Sequence, residues 1–180
     1  GIIIRGHPFG VFTPAFTGRA VDRKFARGDQ LMLDGGPTLK GYHTDIQRQA
    51  VIGEPSALQK KLHKLAMVGY EAGMEIIKPG TKGKDLWRIP LEAQRKEDPS
   101  YSPSWRFTGH SIGLRIHEPP SWIAEEEGEL IPGMVITLEV AGYDIPQRRV
   151  MGAFPEDMFL VTASGHEVLS EGLSRELWVG

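Results

Sequence analysis

Cysteine is absent from the 180 residues. That excludes disulfides, thiolate nucleophiles and thiolate metal ligands, and leaves His, Asp and Glu as the strong ligands on offer. It fits a reducing compartment, so we expect a cytoplasmic protein, although a cysteine-free chain is compatible with any compartment. An excess of either charge is also missing. The net charge of −2 and pI near 6.3 give no basic footprint for nucleic acid or for an anionic membrane surface. No apolar run approaches the ~20 residues of a membrane span. The opening GIIIRGHPFG lacks the charged region and long apolar core of a signal peptide. It begins directly on strand-forming III, so the chain reads as a segment cut at its N-terminal edge. What remains is ordinary. With 40% hydrophobic and 24% charged residues, the balance is that of a soluble globular protein with a real core, and we expect one domain over residues 1–180.

Punctuation along the chain divides it into three parts. Ile2 to Ile4 are β-branched and glycine-bounded, which predicts a short strand. His7 to Gly18, rich in Gly, Pro and Phe, predicts a loop or irregular hairpin. Gln30–Leu33 predicts a strand broken by Gly35-Gly36-Pro37, with extended structure resuming over 41–50. Glu54-Pro55-Ser56 then makes Ser56 a helix N-cap after a proline-imposed boundary. Leu58, Leu62, Leu65, Ala66 and Tyr70 keep an apolar stripe at helical spacing, predicting a helix that ends near Ile77. A second amphipathic helix is expected from Gly83 to Arg95, and a surface loop from Lys96 to Ser104. Beyond it come a Gly-bounded turn around His110, the strand 135–140 (VITLEV), a strand from Met158 to Thr162 and a strand from Glu167 to Leu169. Strands, then helices, then strands again predict α+β rather than a βαβ alternation.

The chemistry is concentrated in a few polar residues inside this pattern. Asp34 and Asp45 stand 11 positions apart, on two strands joined at a tight bend. Alone they fit a general acid/base pair, a metal pair or two turn aspartates. Glu139 is the most telling. A carboxylate inside an apolar strand costs several kcal/mol unless something neutralises it, and a metal does so directly, with Arg115 or Arg148 as the bland substitute. Asp34 also suits a turn cap, and Glu156 an exposed residue just before a strand. Taken together, Asp34, Asp45, Glu139, Glu156 and His110 form a two-metal ligand set of four carboxylates and an imidazole. Carboxylates bridging two cations are the usual means of activating a shared water. Oxygen-rich ligation suits Mn, Fe or Co, with Zn also possible. His117, seven positions after His110, suits either the site or packing. His43, two before Asp45, shares its face if one strand spans both, and is expected to support the ligands rather than join them.

The stretches LMLDGG with Asp34, GYHTDIQR with Asp45, TGHSIGLRIHEPP with His110 and His117, PGMVITLEV with Glu139, and PEDMFLVTASGHEVLS with Glu156 occur in one order and spacing. In this the chain resembles the pita-bread metallopeptidases: methionine aminopeptidase, aminopeptidase P, proline dipeptidase and the related creatinase. The resemblance covers about residues 28–170. It implies a curved, mostly antiparallel sheet covered by helices, with preceding helices and any N-terminal domain absent. It also implies a dinuclear site in which Asp34 binds one ion, Asp45 and Glu156 bridge, and His110 and Glu139 complete the other. Glu139 would double as general base and His117 would contact the substrate. The implied partner is a peptide or small molecule, and a homodimer is an expectation taken from the family, since no stretch of sequence marks an interface.

Two departures concern the substrate. Peptide-cleaving members carry a histidine upstream of the first Asp, about where this chain has Thr17 and Gly18; His7 lies 27 residues before Asp34. Prolyl-specific members have an arginine shortly before the last Glu, where this chain has Phe154. The expected activity is a metal-dependent Xaa-Pro dipeptidase or aminopeptidase. The alternatives are a same-fold C–N hydrolase or lyase acting on a small non-peptide molecule, and a non-catalytic binding module.

Overall fold

The computed structural model describes residues 2–7, 24–102, 106–142 and 155–180, the first of these as backbone alone. The expected loop from Pro8 to Gly18 and the positions Arg148 and Phe154 lie outside the described residues. The elements run β1 (Ile2–His7), β2 (Gln30–Gly35), β3 (Thr38–Leu39), β4 (Tyr42–His43), β5 (Ile46–Val51), α1 (Ala57–Glu75), α2 (Gly83–Glu97), β6 (His110–Ser111), β7 (Glu118–Ser121), β8 (Val135–Glu139), β9 (Glu156–Val161), β10 (His166–Val168) and β11 (Trp178–Val179). The architecture of the described residues is α+β: a nine-stranded mixed sheet, antiparallel except for β11 against β5, with two helices packed on it, and a separate two-stranded β3–β4 ribbon.

Each helix starts where local chemistry dictates. Ser56 caps α1: its hydroxyl accepts from the Gln59 backbone N–H while the Gln59 side chain accepts from the Ser56 N–H, satisfying two otherwise unpaired donors. The helix stops at Glu75, slightly before the expected end, where the Ile76 N–H donates to the Gly73 carbonyl and the Ile77 N–H to the Met74 carbonyl. The predicted stripe is what α1 buries: Leu62, Leu65, Ala66 and Tyr70. Gly69 lets the helix approach β8, since a Cβ there would stand 2.7 Å from Val140 Cγ1. Leu86 of α2, Tyr70 of α1, Ile136 and Leu138 of β8, and Phe159 and Val161 of β9 meet with Trp122 and Leu130 in the main core. Each fully buried side chain of this kind contributes about 1.5–3 kcal/mol. The buried Gln94 of α2 donates to the carbonyls of Leu65 and Ala141, tying α2 to α1 and to the end of β8.

Strand order in the sheet is β1-β2-β5-β9-β8-β6-β7. β2 pairs with β5 over six residues and β8 with β9 over five, but β5 meets β9 at the single pair Gln47↔Glu156. Beyond that point the sheet forks. β11 pairs with the far end of β5, and β10 with the far end of β9. Strand alternation then sorts the side chains. Ile136, Leu138, Asp157 and Phe159 face the helices, and Thr137, Glu139, Glu156 and Met158 face away from them. Among the described residues no helix is long and apolar enough to cross a membrane.

Candidate metal centre

The face of the sheet turned from the helices gathers the acids. Asp34 lies near the end of β2 and Asp45 immediately precedes β5. Glu139 ends β8, where its N–H donates to the Thr108 carbonyl (2.9 Å). Glu156 opens β9, paired with both Gln47 and Glu139. It is therefore a strand residue, 2% exposed, and not the solvated residue before a strand that its sequence context allowed. The backbone N–H of Asp45 donates to Met158 Sδ (3.3 Å), which ties the start of β5 to β9.

His110 reaches the cluster through a chain of local constraints. Pro90 sits inside α2 and has no N–H, so the Leu86 carbonyl lacks its usual helical partner. The Thr108 hydroxyl donates to that carbonyl instead (2.8 Å). Gly109 follows with φ +142°, and a Cβ there would stand 2.3 Å from the Thr137 carbonyl. This close approach lets the His110 N–H reach Thr137 Oγ1. His110 Nδ1 lies 3.0 Å from the Ser111 carbonyl. A carbonyl only accepts, so Nδ1 carries the proton and a neutral ring presents a lone pair at Nε2. That lone pair is 3.7 Å from Asp45 Oδ2, 3.6 Å from Glu139 Oε1 and 3.9 Å from Glu156 Oε1.

An array of acceptors facing one another is repulsive unless a cation lies between them. Among the described residues no Lys or Arg ion-pairs with Asp45, Glu139 or Glu156. Arg115, the suggested partner of Glu139, is exposed, and its backbone N–H donates to Glu118. Asp45 Oδ1, His110 Nε2 and Glu156 Oε1 are buried without a hydrogen-bond partner. The electrostatics follow. Burial, then the charge and hydrogen bond of Asp34, pushes Asp45 up to about 7. Burial, then Asp45 and Asp34, pushes Glu139 well above the carboxylate range. Burial, then Glu139, Asp45 and Asp34, does the same to Glu156, against a hydrogen bond from Thr137. Burial holds His110 down at about 4, against the Ser111 carbonyl and with His117 adding to the depression.

Three overlapping groups place ligand atoms within 4.8 Å of one another: Asp34 with Asp45 and Glu156, His110 with Glu139 and Glu156, and Asp45 with His110 and His117. The donor set fits divalent cations, because it offers carboxylate oxygens and an imidazole lone pair, and no Lys or Arg among the described residues competes for them. All five residues expected to ligate are thus brought together, and His117 joins them from the exposed side, its ring 4.2 Å from that of His110. His43 is placed differently. It belongs to the separate β3–β4 ribbon, where its N–H donates to the Gly113 carbonyl, and β5 starts only at Ile46. One strand does not span His43 and Asp45, so the alternation argument for a shared face fails. The sequence reading missed Thr137, Met158 and, on the other face of β9, Asp157. Strand alternation carried its own signal for Asp157: the neighbour of an inward-facing Glu156 must be buried on the helix side.

Residues 9–163 match metallopeptidase family M24. The chain is 34% identical over 161 residues to the Xaa-Pro dipeptidase of Pyrococcus horikoshii, an alignment covering 89% of this chain and 44% of that protein. Among solved structures, the X-Pro aminopeptidase of Thermotoga maritima superposes with a TM-score of 0.85 at 29% identity, covering 99% of this chain and 49% of that one. The Xaa-Pro dipeptidase of Bacillus anthracis superposes with a TM-score of 0.83 at 30% identity, covering 99% and 48%. The chain spans less than half the length of these relatives. Its sheet and helices are the pita-bread fold of those proteins, and the chain belongs to metallopeptidase family M24.

Proposed function

We propose that these 180 residues form the catalytic domain of a dinuclear metallohydrolase that cleaves Xaa-Pro peptides, as a dipeptidase or aminopeptidase. Asp34, Asp45, His110, Glu139 and Glu156 would hold the two ions, and the oxygen-rich set suits Mn, Fe, Co or Zn. The observation that carries this reading is the group of buried, partnerless ligand atoms on Asp45, His110 and Glu156, with which no Lys or Arg among the described residues pairs. Such ions, when bound, supply a nucleophilic water at neutral pH and polarise the scissile carbonyl. Glu139 would receive the proton that the water gives up. His117 stands at the exposed edge of the cluster and contacts the substrate there. The Ser111 carbonyl keeps His110 in the tautomer that ligates through Nε2. The Xaa-Pro preference rests on the names of the relatives.

The test is metal content together with hydrolysis of a panel of Xaa-Pro dipeptides and longer Xaa-Pro peptides. Two divalent ions per chain and proline-dependent cleavage are expected. A metal-loaded protein inactive on every peptide would replace this reading with a small non-peptide substrate. Failure to bind metal after reconstitution would replace it with a binding module. Light scattering of the whole protein tests the homodimer implied by the family.

A further inference from the structure

The two halves of the acidic cluster lie on opposite sides of the fork in the sheet. Asp34 and Asp45 belong to the β2–β5 side. His110, Glu139 and Glu156 belong to the β6–β8–β9 side. One ladder pair, Gln47↔Glu156, joins the two, so backbone pairing alone leaves their spacing weakly specified. Arg48 sits at that junction on the helix side. Its Nη1 donates to the carbonyls of Gln47 (2.8 Å) and Glu156 (2.7 Å). Its Nη2 donates to Asp157 Oδ1 (2.7 Å) and the Leu173 carbonyl (3.1 Å), and its Nε to the Ser174 carbonyl (2.9 Å). A guanidinium has five N–H donors in a rigid fork, and each of the five has an acceptor here. Two of those acceptors are the backbone carbonyls of the residues that form the single ladder pair.

We infer that Arg48 is a positioning residue that sets the distance across the fork, and so the spacing between the Asp34–Asp45 carboxylates and Glu156 on the opposite face. This rests on the two-ion reading above, and it predicts an asymmetry that the reading alone does not. Two of the three groups span the fork, Asp34 with Asp45 and Glu156, and Asp45 with His110 and His117, whereas His110, Glu139 and Glu156 lie on one side of it. With Asp45 and Glu156 shared, the ion held by Asp34 keeps two residues on one side of the fork and the other ion keeps three. Loosening the junction therefore weakens the first binding event more than the second.

The experiment is calorimetric titration of metal-free protein with Mn(II), comparing wild type with Arg48→Lys. Lysine keeps the charge but has three donors on a flexible stem and cannot span both strands. One of two binding events is expected to weaken about ten- to hundred-fold, the range for partners lying behind ligands, and the other by clearly less. Arg175→Gln is the control. Arg175 donates to the same Asp157 (2.5 Å), and no hydrogen bond joins it to the carbonyls of Gln47 or Glu156, so both affinities should stay at the wild-type value. Equal weakening of both events in Arg48→Lys, no weakening at all, or the same selective loss in Arg175→Gln would overturn the inference. If Arg48→Lys does not fold, Asp157→Asn carries the test, because it removes the charge that draws Nη2 to β9. The same selective weakening in smaller degree is expected, and its absence overturns the inference. Wild type that binds no Mn(II) overturns the metal reading itself, a result distinguishable from all of these.

Discussion

Glu156 and Asp157 are consecutive carboxylates in one strand, 2% and 0% exposed, and their surroundings are opposite. Asp157 faces the helices and is surrounded by donors: Arg48 Nη2 at 2.7 Å, Tyr70 Oη at 2.7 Å, Arg175 Nε at 2.5 Å and the Ser170 hydroxyl. Burial raises its pKa, and the donors outweigh burial and hold it below the carboxylate range. Glu156 faces the acids, keeps one oxygen without a partner and is pushed well above that range. The same residue chemistry at the same depth is thus structural on one face and unfinished on the other. A buried charge that the protein satisfies belongs to the fold, and one that it leaves unsatisfied marks where a ligand completes the structure.

Substitutions test this contrast directly. The largest effect should come from Glu139→Gln. It is expected to lower kcat by about 10²–10⁴, the usual worth of a general base, while raising the melting temperature of the metal-free protein, since a buried carboxylate without a counter-charge has been removed. Steady-state kinetics and melts in chelator read the two effects. A metal-free variant less stable than wild type would break the contrast.

Asp157→Ala should do the reverse. It strips Arg48 of its buried counter-charge and is expected to destabilise the fold by about 3–5 kcal/mol, measured by urea unfolding. A loss close to zero would show that the donors around Asp157 do not depend on it.

The pH dependence of the metal-free protein sharpens the same point. Asp45 is raised to about 7, with Glu139 and Glu156 raised as well. A group whose folded pKa lies above its unfolded value binds protons preferentially in the fold, so stability falls as pH rises from about 4 towards 7. His110, held down at about 4, works the other way below its ordinary value, one group against three. Asp157, held low, loses its contribution only below the carboxylate range. Chelator-treated protein should therefore melt higher at pH 5 than at pH 8. Metal-loaded protein should lose that preference, because cations displace the protons. Equal slopes with and without metal would sink the prediction.

The smallest effect is expected from Lys64→Ala, which removes an exposed ion pair with Glu97. Water already solvates both partners, so the unfolding midpoint should not move. A measurable shift would mean that surface pairs carry stability here as the Asp157 group does.

Much of this was legible in the chain. The Ser56 cap, the Leu62–Leu65–Tyr70 stripe and the α+β order were readable because helix caps and apolar periodicity are local. The residues of the acidic cluster were readable because a carboxylate in VITLEV has few uses and the spacings recur in a family. Asp157 was not read, because strand alternation puts it on the face opposite Glu156 but does not say what meets it there. Its partners lie far off in sequence: Arg48 is 109 residues away and Tyr70 is 87. The Pro90 signal was present but mute, since a proline within a helix shows that a carbonyl is freed and not that Thr108 will claim it.

The sequence by itself determined which donors the chain can offer a metal. With no cysteine, four acids and a histidine set in strands and Gly-bounded turns leave oxygen and imidazole as the donors, whatever the packing. Tertiary structure decided which of those donors are left unsatisfied and what holds them at their spacing. That depends on where the sheet forks, on the face each strand residue takes and on a guanidinium long enough to bridge the gap. Those are relations between segments far apart in the chain, set when the core closes, and no local stretch encodes them.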